Sequence, residues 1–353
     1  MDYYVAESIR QTQRVFPMQG RADFFRYDMN ENIDGLPEDF VAEVLREVTP
    51  AFLATYPEPD RFLRKYAAFL GVQHENVLAS NGSDMAIRYL LETFGEPGKE
   101  VVTVSPTFEM YRVNCSILGL RHRPVAYTPA LTMDAGRICE AITGDTRVVV
   151  LLHPNSPVGN IYTEDDLESV ASCARRAGAV VILDEAYHYF YPHSFLKRAL
   201  EWDNVVVLRT FSKLFALAAC RLGVMIGHPK LISYVRNGKL TFDVNSLALL
   251  FGERILDHPE LIEAMVQAEA EGRRYTLQVL REKGYTCIDG RGNYILVQTR
   301  HDAQEVAEGL ERERRVLVHP YGSSPLRAYI RVSTGSKRAM EPFLQAFLDI
   351  DGQ

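Results

Sequence analysis

Beyond residue 36 the chain alternates between short, continuously apolar runs and stretches with helical periodicity. The clearest runs are 101–104, 148–152, 180–183, 205–208 and 222–226, all rich in β-branched residues. A strand that is apolar on both sides needs cover on both faces, as in a largely parallel sheet between layers of helices. The stretches between the runs supply those layers. Residues 84–93 follow Asn81-Gly82-Ser83, and 164–177 follow Thr163, an N-cap candidate with Asp166 in the first turn. Such alternation predicts an α/β domain with a mostly parallel central sheet and right-handed crossovers.

From residue 246 the pattern changes. It predicts a long helix over 247–283, a strand over 293–298, a helix over 302–312, strands over 316–319 and 328–332, and a helix over 338–347. That order suits a smaller C-terminal α+β domain. Residues 1–36 look irregular and end in the polar segment Asp28-Met29-Asn30-Glu31-Asn32, before Gly35 and Pro37. The expected organisation is an N-terminal arm (1–36) that needs something to lie against, a large domain (37–245) and a small domain (246–353).

Composition narrows the class. The chain has 353 residues, 47% hydrophobic and 24% charged, enough to bury a core without disulfides or a structural metal. A net charge of −7 argues against a general nucleic-acid binder, which needs a basic face. Arg312, Arg314 and Arg315 are interspersed with acids and read as a solvated helix face. The five cysteines have no metal or redox spacing and fit reduced thiols in a cytoplasmic protein. The first residues carry charges and no apolar core, so no signal peptide is expected there, and no apolar run is long enough to span a bilayer. Gly95-Glu96-Pro97-Gly98-Lys99 lacks the spacing and hydroxyl of a P-loop, and His74-Glu75 lacks a second histidine for zinc. No metal is expected.

Functional groups of open α/β sheets collect at the carboxyl ends of the strands, so the residues after each run matter most. The run 180–183 ends in Asp184-Glu185-Ala186-Tyr187, a costly place for two acids unless something needs them. The run 205–208 ends in Arg209-Thr210-Phe211-Ser212-Lys213, which puts a lysine, a candidate Schiff-base nucleophile, beside two hydroxyls. The run 148–152 leads into the turn His153-Pro154-Asn155-Ser156-Pro157-Val158-Gly159, and 101–104 into Ser105-Pro106-Thr107-Phe108. Asn81-Gly82-Ser83-Asp84 opens a helix whose free N–H groups would favour an anion. Each feature alone also reads as a solvated lysine, a cap or a turn. Their joint order does not.

That order resembles the pyridoxal-phosphate (PLP) enzymes of fold type I, the aspartate-aminotransferase-like fold. Within it, the chain is similar to class I/II aminotransferases of the histidinol-phosphate aminotransferase branch. The stretches that carry the resemblance are Tyr56-Pro57-Glu58-Pro59, Asn81-Gly82-Ser83-Asp84, Pro106 to Tyr111, Pro154-Asn155-Ser156-Pro157, Asp184 to Tyr187, Thr210 to Lys213 with Arg221-Leu222-Gly223, and Ile330-Arg331-Val332. The resemblance implies that Lys213 carries PLP as a Schiff base and shuttles the substrate proton. Asp184 would pair with the pyridinium nitrogen, Asn155 and Tyr187 with the ring 3′-oxygen, and Phe108 would stack on the ring. Ser83, Asp84, Met85, Thr210, Ser212 and Arg221 would hold the phosphate; Arg221 lies eight residues after Lys213, as in the family. Tyr56 would reach the phosphate of the neighbouring subunit, making the enzyme a homodimer with shared sites. Arg331 and Asn32 would bind the substrate, with Arg331 clamping its carboxylate.

The chain departs from the family pattern in places. Met85 stands where an acid is usual, Leu214 to Cys220 where glycines are preferred, and Val316-Leu317-Val318-His319 where the branch carries an arginine for substrate phosphate; Arg327 lies in the following loop. The expected activity is transfer of an amino group between an amino acid or phosphorylated amine and a 2-oxo acid. The alternatives are decarboxylation of an O-phospho-amino acid on the same cofactor and a catalytically silent PLP-fold binding protein.

Overall fold

The computed structural model describes residues 3–12 and 19–352. Seven strands form the large sheet: β1 (Val77–Asn81), β2 (Glu100–Ser105), β3 (Arg121–Ala126), β4 (Thr146–Leu152), β5 (Val180–Asp184), β6 (Val205–Thr210) and β7 (Leu222–Gly227). Their order across the sheet is β1-β7-β6-β5-β4-β2-β3. Six run in one direction, and β7 is antiparallel to both its neighbours. Five of the seven are the apolar runs read from the sequence.

Alternate residues of the central strands feed two separate cores. Val181, Leu183, Val205 and Val207 enter one; Ile182, Val206 and Leu208 enter the other. A sheet can be apolar on both faces only where helices cover both. Helices α1 (Gly82–Phe94) and α2 (Met110–Leu118) cover the second face through Ile87, Leu90, Tyr111 and Cys115. Helix α3 (Glu164–Arg176) covers the first through Leu167, Val170 and Ala174. Thr163 caps its N-terminus as expected, and the structure adds a capping box, with Thr163 and Asp166 each accepting the other's backbone N–H. Each fully buried valine, leucine or isoleucine here contributes about 1.5–3 kcal/mol.

The small domain holds an antiparallel sheet of β8 (Cys287–Gly292), β9 (Tyr294–Gln298), β10 (His319–Pro320) and β11 (Tyr329–Ser333), ordered β10-β11-β9-β8. The single helix expected over 247–283 is two: α4 (Ser246–Ile255) and α5 (Pro259–Glu282). Pro259 lacks an N–H and its ring would clash with the preceding turn, so it starts a helix rather than continuing one. Helix α4 packs into the large core through Ala248, Phe251 and Ile255. Helices α6 (Ala303–Arg314) and α7 (Lys337–Asp351) complete the small domain. The expected strand over 316–319 splits: Val316–Leu317 pairs in parallel with Phe25–Arg26 of the arm, and His319 begins β10.

The arm is therefore held by the small domain. Tyr27 is buried in that domain's core and donates its hydroxyl to the Ala339 carbonyl at 2.6 Å. Arg312, Arg314 and Arg315 pair with Glu313, Asp349 and Asp23, a solvated charged face as expected. Among the described residues, no helix is long and apolar enough to cross a membrane, and no group of side chains could hold a metal ion.

Candidate active site

The carboxyl ends of β4, β5 and β6 open toward the N-terminus of α1. Asp184, the last residue of β5, is 4% exposed. Its Oδ2 accepts the Tyr111 hydroxyl at 2.8 Å and its Oδ1 accepts the Ala186 N–H at 3.0 Å. Burial pushes this carboxyl up to about 6, against the pull of those two bonds, and Asp84 and Glu185 push it the same way. Among the described residues it has no cationic partner. Its neighbour Glu185 is solved differently: Arg209 of β6 donates to it from Nε and from a terminal nitrogen at 3.1 and 2.9 Å, and Ser194 and the Phe195 N–H complete its shell. Glu185 is thus structural.

Lys213 follows β6. Its Nζ donates to the Met29 carbonyl at 3.0 Å and lies 5.9 Å from the centre of the Tyr187 ring. The Tyr187 hydroxyl accepts the Asn30 side-chain amide at 2.8 Å. Asn155, fully buried, accepts the Thr107 hydroxyl at 2.6 Å and donates to the Pro106 carbonyl at 3.0 Å, which leaves one N–H of its amide to spare.

A cradle for an anion lies beside the lysine. Helix α1 begins at Gly82 with no side-chain cap, so Ser83 is its second residue. The first-turn N–H groups of Ser83 and Asp84 have no acceptor within the helix, whereas Met85, its fourth residue, has the Asn81 carbonyl as its partner in the helical pattern, against the expectation that its N–H also serves the anion. Arg221 closes the cradle, donating to Asp84 at 3.1 Å, to Ser212 at 3.4 Å and to the Ala218 carbonyl. Thr210 accepts the Ser212 N–H at 3.1 Å, which folds the two hydroxyls together. Two glycines make the approach possible. A Cβ on Gly82, at φ +71°, would meet the Arg221 guanidinium at 2.4 Å, and one on Gly223 would meet the Gly82 backbone at 2.5 Å.

The arm and the small domain close the other side. Arg331 of β11 donates to the Asp28 carbonyl at 2.5 Å, while its Nε is buried without a partner. Three consecutive residues of the arm, Asp28, Met29 and Asn30, thus touch Arg331, Lys213 and Tyr187 in turn.

Phe108, 39% exposed, presents its ring at right angles to Tyr111 with centroids 6.4 Å apart. Asn32 donates its amide to the Leu214 carbonyl and accepts the N–H groups of Asp34 and Gly35, a turn at the foot of the arm. Tyr56 is 73% exposed and stacks on Phe242 at 4.5 Å, with no bond to Lys213 or Arg221 of its own chain. Asn30 and Tyr111 were assigned no role from sequence. Tyr111 lies one helical turn beyond Phe108, within the stretch Pro106 to Tyr111; Asn30 carries only the weak signal of a polar residue in an otherwise irregular arm.

The chain is similar to known proteins over most of its length. Residues 27–347 match the family described as aminotransferase class I and II. A histidinol-phosphate aminotransferase of Symbiobacterium thermophilum is 31% identical over 348 residues, covering 98% of this chain and 94% of that protein. The histidinol-phosphate aminotransferase 1 of Burkholderia lata is 32% identical, covering 91% and 90%. Among solved structures, the histidinol-phosphate aminotransferase of Sinorhizobium meliloti in complex with pyridoxal-5′-phosphate superposes with a TM-score of 0.89 at 20% identity, covering 100% of this chain and 98% of that one. A match over nine-tenths of the chain, joined to this fold, places the protein in the class I and II aminotransferase family.

Proposed function

We propose that Lys213 carries pyridoxal 5′-phosphate and that the protein moves an amino group between an amino acid, or a phosphorylated amine, and a 2-oxo acid. The observation that carries this reading is Asp184: a buried carboxylate at a strand end, short of a positive charge, with a lysine amine and an anion cradle on the same rim. The residues fit the group. A ring N–H would give Asp184 the cation it lacks, and the α1 N-terminus with Arg221, Ser212 and Thr210 would take a phosphate.

When bound, PLP supplies an aldehyde that captures an amine and a ring that accepts the electrons left by a breaking substrate bond. Asp184 holds the proton on the ring nitrogen, and Tyr111 and the Ala186 N–H hold Asp184. Tyr187, fixed by Asn30, and the spare N–H of Asn155 orient the ring oxygen. Phe108 covers one face. Lys213 Nζ would take the proton from the substrate α-carbon and deliver it to the carbon that was the cofactor's aldehyde. Arg331 offers its fork to the substrate carboxylate, beside Asn32 at the foot of the arm.

Histidinol-phosphate aminotransferases among the relatives support a small phosphorylated amine as one donor. The exposed Tyr56–Phe242 stack, with Leu53 and Leu240 also exposed, supports a homodimer in which Tyr56 completes the partner's cradle. Five free cysteines support a cytoplasmic setting.

Lys213→Ala tests the reading. Borohydride should fix the cofactor to the wild-type lysine, and the variant should bind PLP only reversibly and lose turnover. Wild-type turnover in the variant, or a cofactor-saturated wild type that borohydride leaves unmodified, would refute it.

A further inference from the structure

The anion cradle is gripped from behind by residues 239–245, a segment that leads into α4 and supplies no group to the chemistry proposed above. Asp243 holds one wall. Its carboxylate accepts the Asn81 N–H at 3.3 Å and the Tyr89 hydroxyl at 3.1 Å, and its carbonyl accepts the Asn81 side-chain amide at 2.6 Å. Lys239 pairs with the same carboxylate, and the two side chains are 10% and 4% exposed. Asn245 holds the other wall. Its amide donates at 2.8 Å to the carbonyl of Cys220, the neighbour of Arg221, and its oxygen caps α4 through the Ala248 N–H. One short segment thus touches the chain just before Gly82 and just before Arg221, the two sides between which a phosphate would rest.

Asn81 stands at the N-cap of α1 and yet makes no cap bond. An asparagine in that place ordinarily accepts the N–H of the second or third helical residue, here Ser83 or Asp84. Those are the groups that a phosphate at the helix end needs. The Asn81 amide is spent on Asp243 instead, and the helix end stays open. The Asp243 charge does not oppose an anion in the cradle, because Lys239 balances it in direct contact. Three separate groups converge on a carboxylate that is almost wholly withdrawn from water, so the grip on Asn81 has one geometry.

We infer that Asp243 is a positioning residue of the phosphate cradle: it holds Asn81 off the α1 N-terminus, so that a bound phosphate, and not the protein's own amide, caps the helix. The inference rests on the reading of Lys213 and the cradle as the cofactor site. It adds to that site a residue outside the motifs that carry the family resemblance.

The test compares PLP with pyridoxal, which has the same ring and aldehyde but no phosphate. Dissociation constants of both are read in wild type and Asp243→Ala from the absorbance of the lysine-bound aldehyde, with borohydride fixation confirming Lys213. Asp243→Ala should weaken PLP about tenfold and leave pyridoxal unchanged, the worth of about one charge-assisted hydrogen bond. A general loosening of the architecture would weaken both aldehydes alike. If Lys239, left buried without its carboxylate, keeps Asp243→Ala from folding, Asp243→Ala combined with Lys239→Met removes both charges and carries the same comparison. An unchanged ratio of PLP to pyridoxal affinity, including an equal loss of both, would overturn the inference and leave Lys213 as the cofactor lysine. If borohydride fixes neither aldehyde to wild-type Lys213, the cofactor reading fails and this inference with it.

Discussion

The Asn30 side chain donates to the Tyr187 hydroxyl at 2.8 Å, the bond by which a side chain of the arm reaches the centre of the site. The same residue is tied to the small domain: its N–H donates to Ser333 Oγ at 2.8 Å and its carbonyl accepts from Asn293. Its backbone is left-handed, at φ +53°, a conformation that asparagine tolerates and alanine resists. One residue thus joins arm, large domain and small domain, with 1% of its surface exposed.

Asn30→Ala is expected to lower the unfolding free energy by about 2–3 kcal/mol, from an unpaired buried phenol and a strained alanine. Asn30→Gly keeps the left-handed backbone and loses only the side-chain bonds, so its cost should be smaller by about 1 kcal/mol. Urea unfolding of the two variants measures the difference. If both match wild type, the Asn30–Tyr187 bond does not hold the arm.

Asp184 makes stability depend on pH in a definite direction. Its carboxyl rises from the ordinary 3.8 to about 6 in the folded chain, first because it is buried. Between those values the folded chain keeps a proton that the unfolded chain has lost. The contribution to stability is therefore full below about pH 4 and is lost as pH rises through 6, on the order of 3 kcal/mol in all. Asp184→Asn has no such proton. In the cofactor-free protein, the stability of wild type relative to this variant should fall between pH 4 and 6, as urea midpoints would show. A flat difference would mean that Asp184 is better paired than its surroundings suggest. With cofactor, the variant should lose about two orders of magnitude in turnover, because an amide cannot hold a ring proton.

The buried pair beneath the site predicts a different signature. Arg209 and Glu185 are 5% and 0% exposed and bonded to each other. Arg209→Ala leaves a buried carboxylate unpaired and should cost about 3–5 kcal/mol. The folded fraction should keep near-normal kcat, since neither group faces the Lys213 amine. Thermal unfolding together with kcat corrected for the folded fraction separates this structural role from a catalytic one; a selective fall in kcat would reverse it.

What the sequence revealed follows from the physics of each segment. Five central strands were legible because burial on both faces forces continuous apolar runs. The edge strand β3 was not: Arg121-His122-Arg123-Pro124 carries charges and a proline, as edges do to resist pairing with other chains. Strand β1 was hidden because Val77-Leu78-Ala79-Ser80-Asn81 turns polar after three residues, too brief an apolar run to stand out. The rim residues Asp184, Lys213 and Arg221 were legible because strand ends concentrate chemistry, and Arg221 takes the left-handed φ of +58° that aims it back over Gly82. Asn30 was not, because its role arises only when an irregular arm is laid across two domains. Ala216 shows the reverse case: at φ +54° it occupies a backbone conformation that suits glycine, within the segment where the family prefers glycines.

Arg331 should act on substrate and not on cofactor. Its cross-strand neighbour His319 adds no second charge at neutral pH: although part of that residue reaches the surface, desolvation first and the Arg331 charge second push its imidazole down to about 4. On the proposed reading, one planar fork is left to meet the substrate carboxylate. Arg331→Lys keeps the charge and loses the fork, so KM for the amino donor should rise about tenfold to a hundredfold with PLP affinity unchanged. Parallel losses of donor and PLP affinity would assign Arg331 to the architecture of β11 instead.

Tyr56 allows a test of subunit sharing. Its ring lies on Phe242, exposed and away from its own chain's lysine. Loss of a hydrogen bond to phosphate should weaken PLP by about tenfold to a hundredfold in Tyr56→Phe. Mixed dimers of Tyr56→Phe chains with Lys213→Ala chains then decide where the hydroxyl acts. The only intact lysine in such a dimer belongs to the chain that lacks the hydroxyl. If Tyr56 serves the neighbouring subunit, that lysine's site receives its tyrosine from the Lys213→Ala chain, and borohydride-fixable PLP should bind with wild-type affinity. If the hydroxyl acts within its own chain, the same site stays weak, and the shared-site dimer is wrong.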